Sequence, residues 1–276
     1  PGCRVDVPNH LYSYSFATGV DWAQQFSTQP VLLDYFRTVA DSLGITDRIT
    51  YGTEVLGATW DDEAGVWHVE VRSSGATTTI DAEVLVRQLH RISIPEFPGR
   101  DSFAGPAFHT AEWDETVELA GRRIAVVGAA ASAVQCVPEI AKVASHVTVF
   151  QRTPNWFLPA PNYHDDLPPS VRAALQEIPT LEPWYRLWLF WRLSEGLMAG
   201  TVPGPANDMF RAFFTAYLRD EFSERPDLLE AVLPEYPPFS KRVVLDDGSW
   251  ATALCSPHVD LVTAGVERVT PEGIVD

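Results

Sequence analysis

The chain has 276 residues, with 20 Lys plus Arg against 37 Asp plus Glu, so its formal net charge is −17 at pH 7. This length allows a sizeable core and two domains, and the charge argues against a nucleic-acid partner. The three cysteines form no C-x-x-C pair and no metal-ligand spacing, which favours a reducing compartment. No signal peptide is visible, and the most apolar run, WYRLWLFW, is too short to span a membrane. We therefore expect a cytoplasmic protein with no membrane partner and no metal site, of unknown oligomeric state.

The sequence of residues 1–91 predicts part of an α/β domain with a small inserted antiparallel sheet. A helix is predicted to begin at Thr28, which can cap it, and to end at Gly44, because apolar residues recur between them at helical spacing. The alternation of apolar and polar residues around Val69 is typical of a half-buried strand. We predict a further apolar strand at Ala82–Val86.

Residues 92–118 predict an interdomain linker, because their prolines and glycines prevent regular secondary structure. This segment also holds four ring-bearing side chains: Phe103, Phe108, His109 and Trp113. Solvated linkers carry few aromatic residues, so we expect the linker to be packed between two domains. On the sequence alone, His109 fits a hydrogen-bonded structural histidine better than a catalytic group.

The best-defined element is a strand, turn, helix and strand within residues 119–160. The β-branched run Arg123–Val127 leads directly into a turn of small residues, and a helical apolar pattern and a second apolar run, Val147–Phe150, follow. This order is typical of a βαβ unit that binds a dinucleotide, with the pyrophosphate at the helix N-terminus. A purely structural βαβ unit is the alternative. The predicted cofactor-binding residues of the turn are Gly128, Ala130, Ser132 and Ala133.

Two departures from the usual fingerprint, G-x-G-x-x-G/A, define the cofactor prediction. Ala130 stands at the second glycine, where its methyl group occupies space that normally lets the backbone approach the phosphates, so we expect modest affinity. An NAD site requires Asp or Glu after the second strand, but this chain has Arg152 followed by Thr153. A guanidinium beside a hydroxyl suits a 2′-phosphate, so these residues predict NADP(H).

Residues 161–235 predict a helical insertion into the dinucleotide-binding domain. Four large apolar residues share one helical face: Trp184, Leu187, Trp188 and Trp191. Packing of this face into a core or a substrate pocket is favoured over a membrane-surface helix. Residues 236–265 are predicted to return to the dinucleotide-binding domain, and 266–276 to lead back toward the first domain. The pair Lys241 and Arg242 precedes a predicted strand, and such a pair is ordinarily surface charge.

The predicted linker carries the residues of a known fingerprint. Its run FAGPAFHTAEWD, from Phe103 to Asp114, resembles the F-x-G-x-x-x-H-x-x-x-W-[PD] fingerprint of Baeyer–Villiger monooxygenases, which belong to the wider class of flavin-containing monooxygenases. The match lies just before the NADP-type βαβ unit, as in that family. The similarity extends over nearly the whole chain, including PGCRVDVP, FQRTPNW and YPPFSKRVVLDDGSW. The branch that acts on aryl or cyclic ketones is the most similar.

This resemblance implies roles that the residues alone leave open. In the family, the fingerprint histidine couples the nicotinamide domain to the flavin domain, and His109 would take that role. Lys241 would contact the 2′-phosphate, Arg242 would face the flavin, and Asp6 would orient Arg242. The implied fold is an α/β architecture with a Rossmann-like NADP domain, its helical insertion and part of a second, FAD-type α/β domain.

The family's FAD site needs a G-x-G-x-x-G turn of its own, yet no two glycines stand two residues apart in this sequence. In the family that turn lies upstream of the position matching Pro1, and the strand completing the flavin domain lies downstream of Asp276. We therefore expect both FAD-binding segments to be missing from this chain.

Two interpretations of the chain stay open. The first is a fragment of an NADPH- and O2-dependent flavin monooxygenase that uses FAD and oxidises a ketone to an ester or lactone, or a soft heteroatom. The second is a flavin-free NADP(H)-binding module, or a non-redox or nicotinamide-only catalyst. The first is favoured because five residues of the family site occur together: Asp6, His109, Arg152, Lys241 and Arg242.

Overall fold

The computed structural model describes residues 1–86 and 92–276. The chain divides into two compact units. The first comprises Pro1–Leu32 and Pro95–Asp276, and the second comprises Leu33–Ile94. The boundary predicted at residue 91 lies outside the described residues, and the other domain boundaries stay predictions.

The described residues form helices and strands, most of them in the first unit. The helices are α1 (Asn9–Tyr12), α2 (Gln29–Ser42), α3 (Ala131–Ala141), α4 (Pro169–Glu177), α5 (Leu181–Leu193), α6 (Glu195–Met198), α7 (Pro205–Glu221), α8 (Pro226–Val232) and α9 (Ser249–Leu254). The strands are β1 (Thr53–Asp61), β2 (Val66–Ser73), β3 (Ala76–Ala82), β4 (Arg123–Val127), β5 (His146–Phe150), β6 (Phe157–Pro159), β7 (Val244–Asp246), β8 (Val259–Val262), β9 (Arg268–Thr270) and β10 (Gly273–Val275). Within the described part of the chain, no helix has the length and hydropathy needed to cross a membrane.

A parallel sheet of three strands, in the order β4-β5-β8, forms the centre of the first unit. Val127 at the end of β4 pairs with Phe150 at the end of β5. Helix α3 connects these two strands and turns its apolar side inward, so that Val137 and Ile140 are buried. Parallel strands joined by a helix form the βαβ unit that the sequence predicts, and the prediction is confirmed.

The core of this sheet extends into the predicted helical segment. Phe214 and Leu218 of α7 and Trp250 of α9 are fully buried in the same apolar cluster as α3 and β5. Burial of such large side chains removes several hundred Å² of apolar surface from water, on the order of 150–250 Å² for each aromatic ring. Helices α7 and α9 are therefore packed into the dinucleotide-type unit.

The second unit contains an antiparallel sheet of three strands in the order β1-β2-β3. Val69 and Val71 of β2 are buried, as the alternating pattern predicts. The strand predicted at Ala82–Val86 is wrong, because β3 ends at Ala82. Ser74 and Gly75 both have positive φ, the geometry of a two-residue hairpin turn, so the chain reverses at once and pairing starts at Ala76.

Two further predictions concern helices. The helix predicted from Thr28 to Gly44 is confirmed as α2. Packing of the aromatic stripe of α5 into a core is wrong, because Trp184 is 68% exposed and Trp191 is 64% exposed. Its packing into a substrate pocket stays a prediction. The helix buries its opposite side instead, through Leu189.

Candidate functional site

The turn between β4 and α3 has the backbone geometry of a phosphate cradle. Gly128 has φ +107°, a left-handed conformation that favours glycine, and a Cβ built there would meet nothing within 4 Å. Its N–H donates to the carbonyl of Phe150 over 2.8 Å, which holds the turn against the end of β5. Ala130 precedes α3 and provides no side-chain cap. The first amides of α3 thus have neither an intrahelical nor a capping partner, and such amides suit an anion.

The other residues predicted for this turn lie in the first turn of α3. Ser132 is exposed and Ala133 is buried. The side-chain amide of Asn155 donates to the carbonyl of Ala129 and ties the turn to the segment after β5. Asn155 is not among the predicted site residues, although its amide side chain directly follows Pro154, just beyond Arg152 and Thr153.

The two cations predicted for the 2′-phosphate each precede one strand of a parallel pair. Strands β6 and β7 are parallel, with Phe157 opposite Val244. Residues just before β6 therefore lie beside residues just before β7. Arg152 belongs to the first of these segments and Lys241 to the second, and both side chains are exposed. Thr153 is partly buried between β5 and β6.

Tyr236 joins these two segments, although it is not among the predicted site residues. Its hydroxyl donates to the carbonyl of Pro154 over 2.8 Å, and its own carbonyl accepts from Trp156 Nε1 over 2.9 Å. The ammonium of Lys241 lies 4.7 Å from the centroid of the Tyr236 ring, a cation–π distance. This tyrosine thus places Lys241 next to the chain that follows Arg152.

Arg242 and Asp6 form an ion pair between opposite ends of the sequence. Arg242 Nη2 donates to Asp6 Oδ2. The Arg242 side chain is 68% exposed, whereas that of Asp6 is 28% exposed. One Nη group is engaged by the carboxylate, so the remaining guanidinium donors are free to meet an oxygen atom of a ligand.

The segment that carries Asp6 is held by the nucleotide-type unit. Gln135 of α3 donates from Nε2 to the carbonyl of Arg4 over 2.8 Å and to the hydroxyl of Tyr163 over 2.9 Å. The Tyr163 hydroxyl in turn donates to the carbonyl of Val5 over 3.0 Å. Burial raises the pKa of Tyr163 to about 12, so this hydroxyl keeps its proton at neutral pH. Gln135 and Tyr163 therefore position Asp6, and no sequence pattern identified them.

A buried carboxylate fixes β7, the strand that follows Arg242. Asp246 accepts hydrogen bonds from the hydroxyl of Tyr217 over 3.0 Å and from the backbone N–H of Trp250 over 3.2 Å. Burial raises the pKa of this carboxyl above its usual range. These bonds connect the end of β7 to α7 and α9. They therefore fix the strand that Arg242 precedes.

The fingerprint segment lies in the first unit but is not bonded to the ion pair. A Cβ at Gly105 would meet Phe103 Cζ at 2.7 Å, so a larger residue at the glycine of the fingerprint would displace the phenylalanine ring that covers it. His109 is partly buried, and its Nδ1 accepts from the N–H of Ala111 over 3.1 Å, which caps a single 3₁₀ turn. Trp113 packs against the main core. Among residues 1–86 and 92–276, no hydrogen bond or ion pair joins His109 to another predicted site residue.

The site contains no arrangement typical of a metal centre. Within the described residues, no group of three or more His, Cys, Asp or Glu side chains could hold a metal ion. Its chemistry therefore consists of helix amides, the cations Arg152, Lys241 and Arg242, and the carboxylate of Asp6. Such groups bind and orient an anionic cofactor.

The sequence matches a known protein family and several of its members. Residues 11–167 match the model of the family described as flavin-binding monooxygenase-like. An uncharacterized monooxygenase of Sinorhizobium fredii is 38% identical over 99% of this chain and 43% of its own length. A Baeyer-Villiger monooxygenase of Streptomyces coelicolor is 33% identical over 100% of this chain and 52% of its own length. The chain spans about half the length of these curated relatives.

A solved structure shows the same fold. The cyclohexanone monooxygenase of Rhodococcus sp. Phi1, in a structure bound to NADP⁺, superimposes with a TM-score of 0.81 at 25% identity. The match covers 100% of this chain and 59% of that protein. The α/β fold class predicted from the sequence is thereby confirmed.

Proposed function

We propose, since this chain belongs to the flavin-binding monooxygenase-like family, that it provides the NADPH-binding part and a flavin-facing ion pair of an NADPH- and O2-dependent monooxygenase. Its substrate would be a small ketone, converted to an ester or lactone. The main support for the proposal is the ion pair between Asp6 and Arg242, which lies in the same unit as the phosphate cradle. A cofactor-binding turn and a fixed guanidinium are thus held by one set of hydrogen bonds.

NADPH fits the residues that the first unit offers. The uncapped amides of α3 would bind the pyrophosphate, and the open backbone at Gly128 leaves room for it. Arg152 and Lys241 would bind the 2′-phosphate, with Thr153 as a hydroxyl donor. Two cations at one strand end match a doubly charged group, which NADH lacks.

The part that this chain contributes to FAD chemistry is the pair Arg242 and Asp6. When bound, FAD supplies the oxygen-transfer chemistry. The Arg242 guanidinium offers a fixed positive charge to oxygen atoms that become negative during the reaction. Asp6 holds the guanidinium plane in place. His109, at its 3₁₀ turn, is the residue we propose for coupling the nicotinamide domain to the flavin domain.

The nucleotide part of the proposal is tested by calorimetry of the chain with NADPH and NADH. We expect tighter binding of NADPH. Arg152→Ala should weaken NADPH binding by about 10–100-fold, because a hydrogen bond to a charged group contributes about 1.5–3 kcal/mol. It should leave NADH binding nearly unchanged.

Arg268→Ala is the matched control, since Arg268 is an exposed arginine of β9 that pairs with its neighbour Glu267. Its binding of NADPH should equal that of the unmodified chain. Equal affinities of the unmodified chain for NADPH and NADH would remove the basis for the role of Arg152 and Lys241.

A flavin-free NADP(H)-binding module is the second candidate function. It rests on the same observation as the NADPH site, the uncapped first amides of α3 beside Gly128. Because the chain spans about half the length of its relatives, the two candidates are distinguished on the intact protein from its source, by its mass and its flavin absorbance. A mass about twice that of this chain with stoichiometric flavin would support the monooxygenase, and a mass equal to that of this chain with NADPH binding but no flavin would support the module.

A further inference from the structure

The ring of Tyr236 lies against the ammonium group of Lys241. The ammonium nitrogen is 4.7 Å from the ring centroid, and attraction between the charge and the ring face holds such a pair together. An ammonium has three N–H donors, so donors remain for an anionic oxygen. A lysine side chain that lacks such a partner is flexible and loses conformational entropy when a ligand fixes it. The ring therefore orders the Lys241 side chain before any ligand binds.

Tyr236 is itself fixed by the segment that follows Arg152. Its hydroxyl donates to the carbonyl of Pro154, and its own carbonyl accepts from Trp156 Nε1. Trp156 is 1% exposed and belongs to the main apolar core, so it is a rigid partner. Burial raises the pKa of Tyr236, and the hydroxyl therefore keeps the proton that it donates at neutral pH. The ring thus has a defined position relative to the chain just beyond Arg152.

The backbone between Tyr236 and Lys241 turns at a residue in an unusual conformation. Phe239 has φ +64°, in the left-handed region that bulky side chains rarely adopt. Its ring meets that of Phe210 edge-on at 5.0 Å and that of Phe214 at 5.9 Å. Such a conformation persists only where the surrounding packing maintains it, and it is most frequent at functional sites. Because this turn separates the cation from the ring that it contacts, the aromatic core also maintains the approach of Lys241 to Tyr236.

The contacts of Tyr236 exceed those that a core tyrosine requires. A buried tyrosine needs a partner for its hydroxyl, which the carbonyl of Pro154 provides. The cation–π contact with Lys241 is additional, and it acts on a cation assigned to the 2′-phosphate. That phosphate is the part of NADPH that NADH lacks. An ordered Lys241 should therefore affect the choice between the two cofactors.

We propose that Tyr236 is a positioning residue that sets the preference for NADPH over NADH, because it holds Lys241 ready to meet the 2′-phosphate. This inference rests on the nucleotide site proposed above, and it adds the means by which that site distinguishes the two cofactors. A charge-assisted hydrogen bond to the phosphate favours NADPH alone. Ordering the lysine in advance lowers the entropy lost on binding and so raises the affinity.

Calorimetry of the chain with NADPH and with NADH tests this role. Tyr236→Leu should weaken NADPH binding about 3–30-fold, the range expected for loss of a cation–π contact, and should change NADH binding by less than about twofold. Tyr236→Phe keeps the ring and loses only the hydrogen bond to Pro154, so it should retain most of the preference. Tyr51→Leu is the matched control, because Tyr51 lies in the other unit and its loss should change neither affinity.

Lys241→Met provides the comparison that separates positioning from a general structural role. Once the ammonium is removed, Tyr236→Leu should cause no further loss of preference for NADPH. A preference that Tyr236→Leu still reduces in the Lys241→Met background overturns the proposal, because Tyr236 then acts by another route. Equal weakening of NADPH and NADH binding by Tyr236→Leu also overturns it. Circular dichroism establishes that each variant is folded, and Tyr236→Met replaces Tyr236→Leu if the latter is not.

Failure of the nucleotide site itself gives a different result. Equal binding of NADPH and NADH by the unmodified chain contradicts the proposed site and this inference together. A preference for NADPH that Arg152→Ala and Lys241→Met both reduce, but that Tyr236→Leu leaves intact, overturns only the role of Tyr236.

Discussion

Helices α3 and α5 have the same kind of apolar periodicity but opposite orientations. In α3 the apolar side faces the sheet, and Val137 is completely buried. In α5 the larger apolar side faces solvent, and Trp184 is 68% exposed. The difference arises because the other side of α5 carries Glu182 and Arg186, which bond to the backbone of the N-terminal segment. Periodicity identifies which residues share a face, whereas the partners available to the polar side decide which face is buried.

The largest effect that we expect from this comparison comes from shortening one apolar side chain on each helix. Ile140→Ala in α3 should lower the free energy of unfolding by about 2–5 kcal/mol, because it leaves a cavity beside a side chain that is 3% exposed. Trp191→Ala in α5 should change it by less than about 0.5 kcal/mol, since surface substitutions have small effects. Urea denaturation of both variants measures the contrast. Similar losses in the two variants would show that the larger apolar side of α5 is packed in solution.

The second test uses the pH dependence of stability, because His10 lies beneath α5. His10 is 2% exposed, its ring meets Tyr185 edge-on at 5.1 Å, and its Nδ1 has no hydrogen-bond partner among the described residues. Burial, with the nearby Arg186 cation, lowers the pKa of His10 from 6.5 to about 4. Between pH 6.5 and pH 4, His10 is therefore mostly protonated in the unfolded chain and mostly neutral in the folded chain.

The sign of this effect is a loss of stability on acidification. Relative to His10→Gln, the unmodified chain should lose about 3 kcal/mol of unfolding free energy between neutral pH and pH 4, and none of this difference should appear above pH 7. Urea denaturation at a series of pH values measures both proteins. Parallel curves would mean that His10 is solvated and that α5 does not cover it.

The smallest expected effect concerns the bonds that hold α5. Arg186→Met keeps the aliphatic length but removes the donors to His10 and Ser13, so it should cost about 1.5–3 kcal/mol of unfolding free energy. Arg192→Met is the matched control, because Arg192 lies on the same helix and is exposed. Thermal unfolding of the two variants measures the difference. If both variants lose the same small amount of unfolding free energy, the hydrogen bonds of Arg186 do not fix the orientation of α5.

The sequence by itself determined the features that depend on neighbouring residues. The βαβ unit follows from a β-branched run, a turn of small residues and a helical apolar pattern within 119–160, all of which are local signals. The fingerprint from Phe103 to Asp114 and the position of Arg152 directly after β5 are local as well. The assignment of cofactor roles to these residues is still a prediction.

Only the tertiary structure decided the contacts between distant parts of the chain. Asp6 meets Arg242 because Gln135 and Tyr163 hold the N-terminal segment against α3. Arg152 and Lys241 precede two short parallel strands, β6 and β7, that pair in register only in the folded chain. No periodicity or spacing encodes such pairings, since the free energy that selects them comes from hydrogen bonds and packing formed only in the folded chain. The outward face of α5 has the same origin, because its inward partners lie about 170 residues earlier in the sequence.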